Sequence, residues 1–157
     1  MLRKLLGTDP NNHAALLVRL ALGIVMFPHG AGKMLGWYGG PGFSGTMAMF
    51  TEQLHIPAIF AFLAIMAEFL GSLGLITGLL TRVAAFGIAC NMVVAMLMVH
   101  LPNGIFMNWF GNQKGEGYEY HILAIAMAVA LMMRGGGAFS VDAILSRKGA
   151  ALGAARV

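Results

Sequence analysis

Glu68 lies in the middle of an apolar run, residues 58–80, that is long enough to cross a lipid bilayer as a helix. Hydrocarbon cannot solvate a carboxylate, so an ionisable residue at this depth is a candidate functional group and needs a partner. The preceding apolar run, residues 14–33, carries the cations Arg19 and Lys33 on one helical stripe. Arg19 lies about one helical turn from Glu68 in depth, at a rise of about 1.5 Å per residue. The sequence therefore predicts an ion pair between Arg19 and Glu68.

The predicted ion pair has two interpretations, which the sequence leaves open. An Arg–carboxylate pair can simply fix the register of two packed helices, or it can line a polar cavity that binds a ligand. Small residues share the stripes of the charges, with Gly23 and Gly30 on the first run and Ala61, Ala64 and Gly71 on the second. Small residues allow helices to approach closely, so both charged faces are expected to pack inward.

A second group of polar residues lies near the predicted outer ends of the spans and contains His29, His100, Glu119 and His121. Imidazoles and a carboxylate at one depth could bind zinc, copper or iron, or could transfer protons. Glu119 and His121 are two residues apart, which places them on roughly opposite faces of a helix, and this spacing disfavours a metal. We therefore expect a polar cavity that handles protons.

Asn91 is the remaining polar residue at mid-depth, and an amide in this position is expected to hydrogen-bond between helices. No residue is assigned a catalytic role at this point. The candidate residues for a buried polar or ligand-binding site are Arg19, His29, Lys33, Glu68, Asn91, His100 and Glu119.

The composition identifies the class of protein that carries these residues. Hydrophobic residues make up 59% of the 157 residues and charged residues only 10%, which excludes an ordinary water-soluble domain. The apolar runs are continuous rather than alternating, so they predict helices and not barrel strands. We expect a single all-α membrane domain over residues 1–157, a bundle of four transmembrane helices. The four predicted spans are residues 14–33, 58–80, 83–101 and 118–133.

The basic residues predict the orientation in the membrane. Lys33 and Lys114 fall on one side if the four spans alternate, and the other cations outside the spans fall on the opposite side. Positive residues accumulate on the cytoplasmic side, so both termini are expected there. The charges flank spans and form no continuous patch, which argues against nucleic-acid binding. The cations on the predicted cytoplasmic side are Arg3, Lys4, Arg82, Arg134, Arg147, Lys148 and Arg156.

The segments outside the spans carry two further predictions. Apolar residues recur at helical spacing over residues 44–54, which favours a short helix lying at the membrane interface in the first outer loop, or one covering the mouth of the bundle. The tail has a glycine stop at residues 135–137 and an N-cap at Ser140, which predict a short amphipathic C-terminal helix. Cys90 is the one cysteine, which excludes an intrachain dithiol–disulfide cycle.

Several motifs together resemble the DoxX family of membrane proteins, over about residues 13–145 and in the family's order. Each motif is weak alone, and the combination is specific. His121 is not part of the pattern. The motifs are LALG at 20–23, HGAGK at 29–33, EFLG at 68–71, GLLTR at 78–82, HLPNG at 100–104, GYEY at 117–120, and Gly137 with Ser140 and Asp142 in the tail.

The resemblance implies a four-helix protein of the cell inner membrane, and it implies less about function. The family is named after a small membrane subunit associated with a thiosulfate:quinone oxidoreductase, and more distant relatives look like assembly factors for membrane proteins. Fold-level likeness alone does not transfer function. The favoured hypothesis is a quinone- or quinol-binding or redox-associated subunit, in which Glu68 or an imidazole exchanges protons with the head group.

Two alternatives come from different functional classes. The protein could be an assembly or scaffold protein whose buried charges serve helix pairing with a client. It could instead bind or transport a small anionic metabolite through Arg19 and Lys33, although four spans without a repeat are few for a transporter that does not oligomerise. We expect quinone, rather than a metal, as the cofactor. The expected partners are a lipid bilayer, a redox or client protein and a second copy of the chain. Enzyme activity is left open.

Overall fold

The computed structural model describes residues 5–154, with side chains for residues 5–147, and this part of the chain is helical without a strand. Of the predicted basic side chains, those of Arg3, Lys4, Lys148 and Arg156 lie outside the described residues. The helices are α1 (His13–Leu35), α2 (Gly42–Ala48), α3 (Ala58–Thr77), α4 (Thr81–Ala95), α5 (Glu119–Arg134) and α6 (Val141–Ala154). Short helical turns occupy Trp37–Gly39, Met49–Gln53, Met96–His100 and Leu101–Asn103.

Three helical segments are long and apolar enough to cross a membrane, namely His13–Leu35, Ala58–Thr77 and Thr81–Asn103. They correspond to the first three predicted spans. The fourth predicted span also forms a helix, but α5 has only 16 residues. At about 1.5 Å per residue it is about 24 Å long, shorter than a typical hydrocarbon core of about 30 Å.

The four long helices pack in a ring, α1 against α3, α3 against α4, α4 against α5 and α5 against α1. Neighbours are antiparallel, since Gly23 of α1 faces Leu75 of α3 and Gly30 faces Glu68, which is earlier in α3. Residues 36–57 and 104–118 therefore lie at one end of the bundle, the loop end. Residues 78–80 and 135–140 lie at the other, the tail end.

The interior of the ring is apolar and closely packed. Small residues alternate with large ones, so the four helices approach closely and leave little space for lipid between them. The buried members of this core are Leu22, Met26, Leu75, Ala85, Ile88, Ala89, Met92, Ala124, Ala128 and Leu131.

The closest approach of two helices is at Gly30 and sets the position of Glu68. A Cβ on Gly30 would lie 2.7 Å from the backbone of Glu68 and Phe69, so a side chain there would collide with main chain. The predicted inward stripes are confirmed, because Arg19, Gly30 and Glu68 are all buried. The small-residue face of α1 thus allows α3 to bring its carboxylate against α1.

The short helix α2 and the helix α6 lie at opposite ends of the bundle. Helix α2 packs against the loop-end parts of α1 and α3, and its buried Thr46 hydroxyl donates to the Lys33 carbonyl at 3.1 Å. Helix α6 begins after Ser140, whose hydroxyl accepts from the Ala143 amide at 3.2 Å. Side chains are described only in the first half of α6, so its predicted amphipathic character stays a prediction.

Replacing Gly30 with Ala should lower the free energy of unfolding in detergent by about 1–3 kcal/mol, because backbone must move to admit the methyl group. Gly71→Ala is the matched control on the facing helix, since its Cβ would meet the Ile88 side chain at 3.3 Å and main chain only at 3.5 Å, an ordinary contact with the Ala84 carbonyl oxygen. The control should change stability by less than about 1 kcal/mol. Equal thermal unfolding curves for the two variants would contradict this account of the helix contact.

A candidate functional site at a buried carboxylate

Glu68 is the centre of a three-residue polar group that joins three helices. Its Oε2 lies 2.5 Å from Nζ of Lys33 on α1, and its Oε1 accepts a hydrogen bond of 2.8 Å from the Asn91 amide on α4. The Glu68 side chain is 4% exposed and the Lys33 side chain 24%. Both carboxylate oxygens are therefore paired, which compensates for the loss of hydration. We call Lys33, Glu68 and Asn91 the carboxylate triad.

The expected pairing of Glu68 with Arg19 is wrong. Arg19 is 1% exposed and lies at the tail end, where its guanidinium faces backbone oxygens instead of a carboxylate. The antiparallel register explains the difference, since Arg19 lies beside Leu75, about two turns further along α3 than Glu68. Lys33, on the same stripe of α1, is the residue that the register brings to Glu68.

The Arg19 side chain uses all of its donors on main chain. A guanidinium has five N–H groups, and the structure gives them five carbonyl acceptors at 2.6 to 3.4 Å. Two acceptors are at the end of α3, where carbonyls have no partner within the helix. The others belong to the turn after α5, so Arg19 ties that turn to α1 and α3. The acceptors are Leu75, Ile76, Gly136, Ala138 and Phe139.

The Ser140–Asp142 motif of the tail makes further contacts next to Arg19, and these contacts also stabilise the fold. The Asp142 carboxylate accepts from the amides of Leu80 and Thr81, at 2.8 and 2.9 Å, and so caps the start of α4 from another part of the chain. Gly78 has φ +70°, and a Cβ on it would lie 2.5 Å from the Ser140 side chain. The GLLTR and Ser140–Asp142 motifs are thus explained by packing.

Polar rings gather near the loop end, close to the triad. The His100 and His121 ring centroids are 4.2 Å apart, those of Tyr120 and His121 are 5.6 Å apart, and those of His29 and Tyr120 are 6.1 Å apart. His29 directly precedes Gly30, the residue of α1 that lies against the Glu68 backbone. The predicted residues His29 and His100 therefore belong to one ring cluster, made of His29, Tyr120, His121 and His100.

Tyr120 and His121 are members of this cluster that the candidate set lacked. His121 falls outside the family pattern and is absent from the candidate residues, yet it is 6% exposed and contacts His100. Two features of the sequence could have identified Tyr120 and His121. They are the first polar rings of α5, and they lie at the same end of the bundle as His29 and His100.

Glu119 has a different role from the one predicted. Its carboxylate accepts from the Met107 amide at 2.9 Å and from the Trp109 indole at 3.4 Å. It therefore organises the 104–118 loop. Among the residues that the structure describes, no three His, Cys, Asp or Glu side chains are grouped so that they could hold a metal ion.

Two surface cavities lie at the tail end, away from the triad. One of about 350 Å³ lies between α1 and α5 and includes Asn12 and Arg134 in its lining. The other, of about 300 Å³, includes Arg82 and Phe86. Neither is lined by a residue of the carboxylate triad or the ring cluster.

The fold and the buried ion pair define a helical membrane protein. The DoxX family model matches residues 14–101, which is more than half of the chain and contains the whole triad. The chain belongs to the DoxX family. The motif at 117–120 and the tail motif at 137–142 lie beyond the matched segment. No curated protein and no solved structure matches the chain.

A double-mutant cycle tests the assignment of the ion pair. Lys33→Met leaves the Glu68 charge buried without its cation and should cost on the order of 3 kcal/mol of unfolding free energy. Adding Glu68→Gln should recover at least about 1 kcal/mol, because the uncompensated charge is gone. Thermal or denaturant unfolding at neutral pH measures each variant.

Glu52→Gln is the control for this cycle, since Glu52 is an exposed carboxylate near the loop end. Combined with Lys33→Met, it should be additive within about 0.5 kcal/mol. A double variant of Lys33 and Glu68 that is less stable than Lys33→Met alone would disprove the pairing.

Proposed function

We propose that this protein is a quinone- or quinol-binding, redox-associated subunit of the cell inner membrane, with the carboxylate triad as its head-group site. The main support is the contact of the buried Glu68 carboxylate with Lys33 and Asn91, both partly buried, where three apolar helices meet. A polar group of this kind inside membrane helices is by default a functional site. A ligand with a polar head and an apolar tail fits such surroundings.

The charge of the triad favours a neutral head group over an anion. Lys33 and Glu68 cancel each other at 2.5 Å, and Arg19 has no donor left for a ligand. An anionic metabolite would need a net positive site. The anion-binding hypothesis loses its main support, whereas a quinone carbonyl needs only one donor.

Each triad residue has a chemical role in this proposal. The Lys33 ammonium has three donors, of which Glu68 uses one, so it can also donate to a head-group oxygen. Glu68 exchanges protons with that oxygen when the head group changes redox state. Asn91 fixes the carboxylate through its hydrogen bond and keeps Glu68 in the reactive orientation. Electrons would come from or go to a protein partner.

The assembly or scaffold function is the second candidate, and the closed geometry of the triad favours it. Both Glu68 oxygens already have protein partners, as they would in a purely structural pair. Under this hypothesis the triad holds α1, α3 and α4 together for a client or a second copy of the chain. Loss of the triad would then lower stability without changing the binding of any small molecule.

The proposed topology has four spans and two cytoplasmic termini. Helix α5 packs against α1 and α4, and this packing supports a fourth span despite the short length of the helix. Arg82 donates to the Met132 and Met133 carbonyls, which groups the basic residues Arg82 and Arg134 at the tail end. Basic residues favour the cytoplasm for that end. A carboxyl-terminal reporter active only outside the cytoplasm would contradict this orientation.

Binding of decylubiquinone to the protein in nanodiscs tests the proposal. Wild type should bind it saturably and gain thermal stability. Lys33→Met with Glu68→Gln should weaken binding at least about tenfold, which corresponds to about 1.4 kcal/mol and to one lost hydrogen bond with a charged group.

Glu52→Gln should bind decylubiquinone like wild type, because Glu52 is outside the triad. Wild-type protein that does not bind the quinone, or a double variant that binds it equally well, would exclude the triad as a head-group site. Equal binding together with lower stability would favour the scaffold function.

A further inference from the structure

His121 has a buried nitrogen that the surrounding protein does not satisfy. The residue is 6% exposed, and its Nδ1 has no hydrogen-bond partner among the described residues. An unpaired buried polar atom destabilises the fold, so one in a native structure calls for an explanation. A role in structure alone would favour an apolar ring in this place.

The neighbouring His100 has a tautomer that its contacts fix. Its Nδ1 lies 2.9 Å from the Glu116 carbonyl oxygen, which can only accept, so Nδ1 carries the proton. In the neutral ring Nε2 then has a free lone pair. Because the His100 and His121 ring centroids are 4.2 Å apart, the free acceptor is on a ring that contacts His121.

The same rings extend toward Glu68. The Tyr120 ring lies 5.6 Å from that of His121 and 6.1 Å from that of His29, measured between centroids. His29 directly precedes Gly30, which lies against the backbone of Glu68. The Tyr120 hydroxyl donates to the Met26 sulfur at 3.1 Å, which leaves its oxygen free to accept.

At its other end the cluster reaches exposed backbone. His100 is half-buried, and the Glu116 carbonyl that it contacts belongs to an exposed residue of the 104–118 loop. The Asn103 amide donates to the same carbonyl at 3.1 Å, which holds this part of the loop against the end of the helix. Polar groups therefore follow one another from the buried carboxylate to the surface.

We infer that His121 and His100 form a proton-transfer pair that connects the carboxylate triad with water at the loop end. A proton leaves an O–H of Glu68 or of a bound hydroxyl and reaches His121, directly or through Tyr120 or His29. It then moves to Nε2 of His100, and the resulting imidazolium releases one N–H proton to water. Each step breaks one O–H or N–H bond and forms another, so no oxidant is required. Only one part of this inference rests on the proposed function, namely that a bound ligand can supply the proton.

The charges around the pair decide how many protons it holds. His29, Lys33 and Glu68 lie on the triad side of the pair, and Glu116 and Glu119 lie on the loop side. Two imidazolium rings in contact would repel, so the pair should carry one extra proton at a time. A single shared proton is what a transfer pair requires.

Nitrogen-15 NMR of histidine-labelled protein in nanodiscs, without added quinone, tests the inference. His100 should be the Nδ1–H tautomer, and changing pH should move the His100 and His121 signals together as one coupled pair. The key variant is His100→Asn, whose side-chain amide can still donate to the Glu116 carbonyl but cannot take up a proton. In this variant the His121 signals should lose their coupled pH response while the protein stays folded.

His13→Asn is the matched control, because His13 lies at the tail end, and it should leave both signals unchanged. An Nε2–H tautomer of His100, or independent titration of the two rings, would overturn the inference. Decylubiquinone binding by His100→Asn, measured separately, distinguishes the two proposals. Coupled rings in a protein that binds no quinone would refute the head-group site alone, and uncoupled rings in a protein that binds it would refute the proton pair alone.

Discussion

A carboxylate buried among apolar helices must be compensated, and the arrangement of this bundle depends on how Glu68 is compensated. Its two oxygens are bound by Lys33 and Asn91, which come from the two helices on either side of α3. This contact is possible because Gly30 lets the α1 and α3 backbones approach to a distance that no side chain would permit. If that contact were lost, Glu68 would face hydrocarbon without its cation, a state that costs several kcal/mol. The ion pair therefore depends on the small-residue stripe of α1.

The protein has two buried charged centres with different chemistry. At the tail end every donor of Arg19 is used by backbone carbonyls, and Asp142 caps α4, so this centre is closed and holds the turn after α5 in place. Nearer the loop end Lys33 keeps donors free, and the rings of the cluster leave the His121 Nδ1 and a second His100 nitrogen unpaired. Buried atoms without a partner also occur at the tail end, Thr81 Oγ1 and Arg82 Nε, but they belong to a hydroxyl and a guanidinium. Near the loop end the unpaired atom is on an imidazole, which can take up and release a proton, and this is where ligand binding and proton transfer are proposed.

The sequence alone was sufficient for the three long apolar helices and their inward faces, because apolar run length and helical periodicity are local properties. It also identified most of the polar residues near Glu68. The choice between Arg19 and Lys33 was wrong because it depends on helix register, which is set by the backbone contact at Gly30. It also depends on carbonyls of residues 136–139, more than a hundred positions after Arg19, which no local pattern reveals. The contact between His100 and His121 likewise depends on the π-helical turn Met96–His100 and on the path of the 104–118 loop.

Mass spectrometry of organic extracts from protein isolated with its native lipid tests most directly whether the triad binds a quinone. Wild type would be compared with Glu68→Gln and Glu52→Gln purified in the same way. A head-group site at the triad predicts a quinone enriched over bulk lipid in wild type and Glu52→Gln, and lost from Glu68→Gln. Equal quinone content in all three samples would contradict it and leave Lys33, Glu68 and Asn91 as a structural contact between helices.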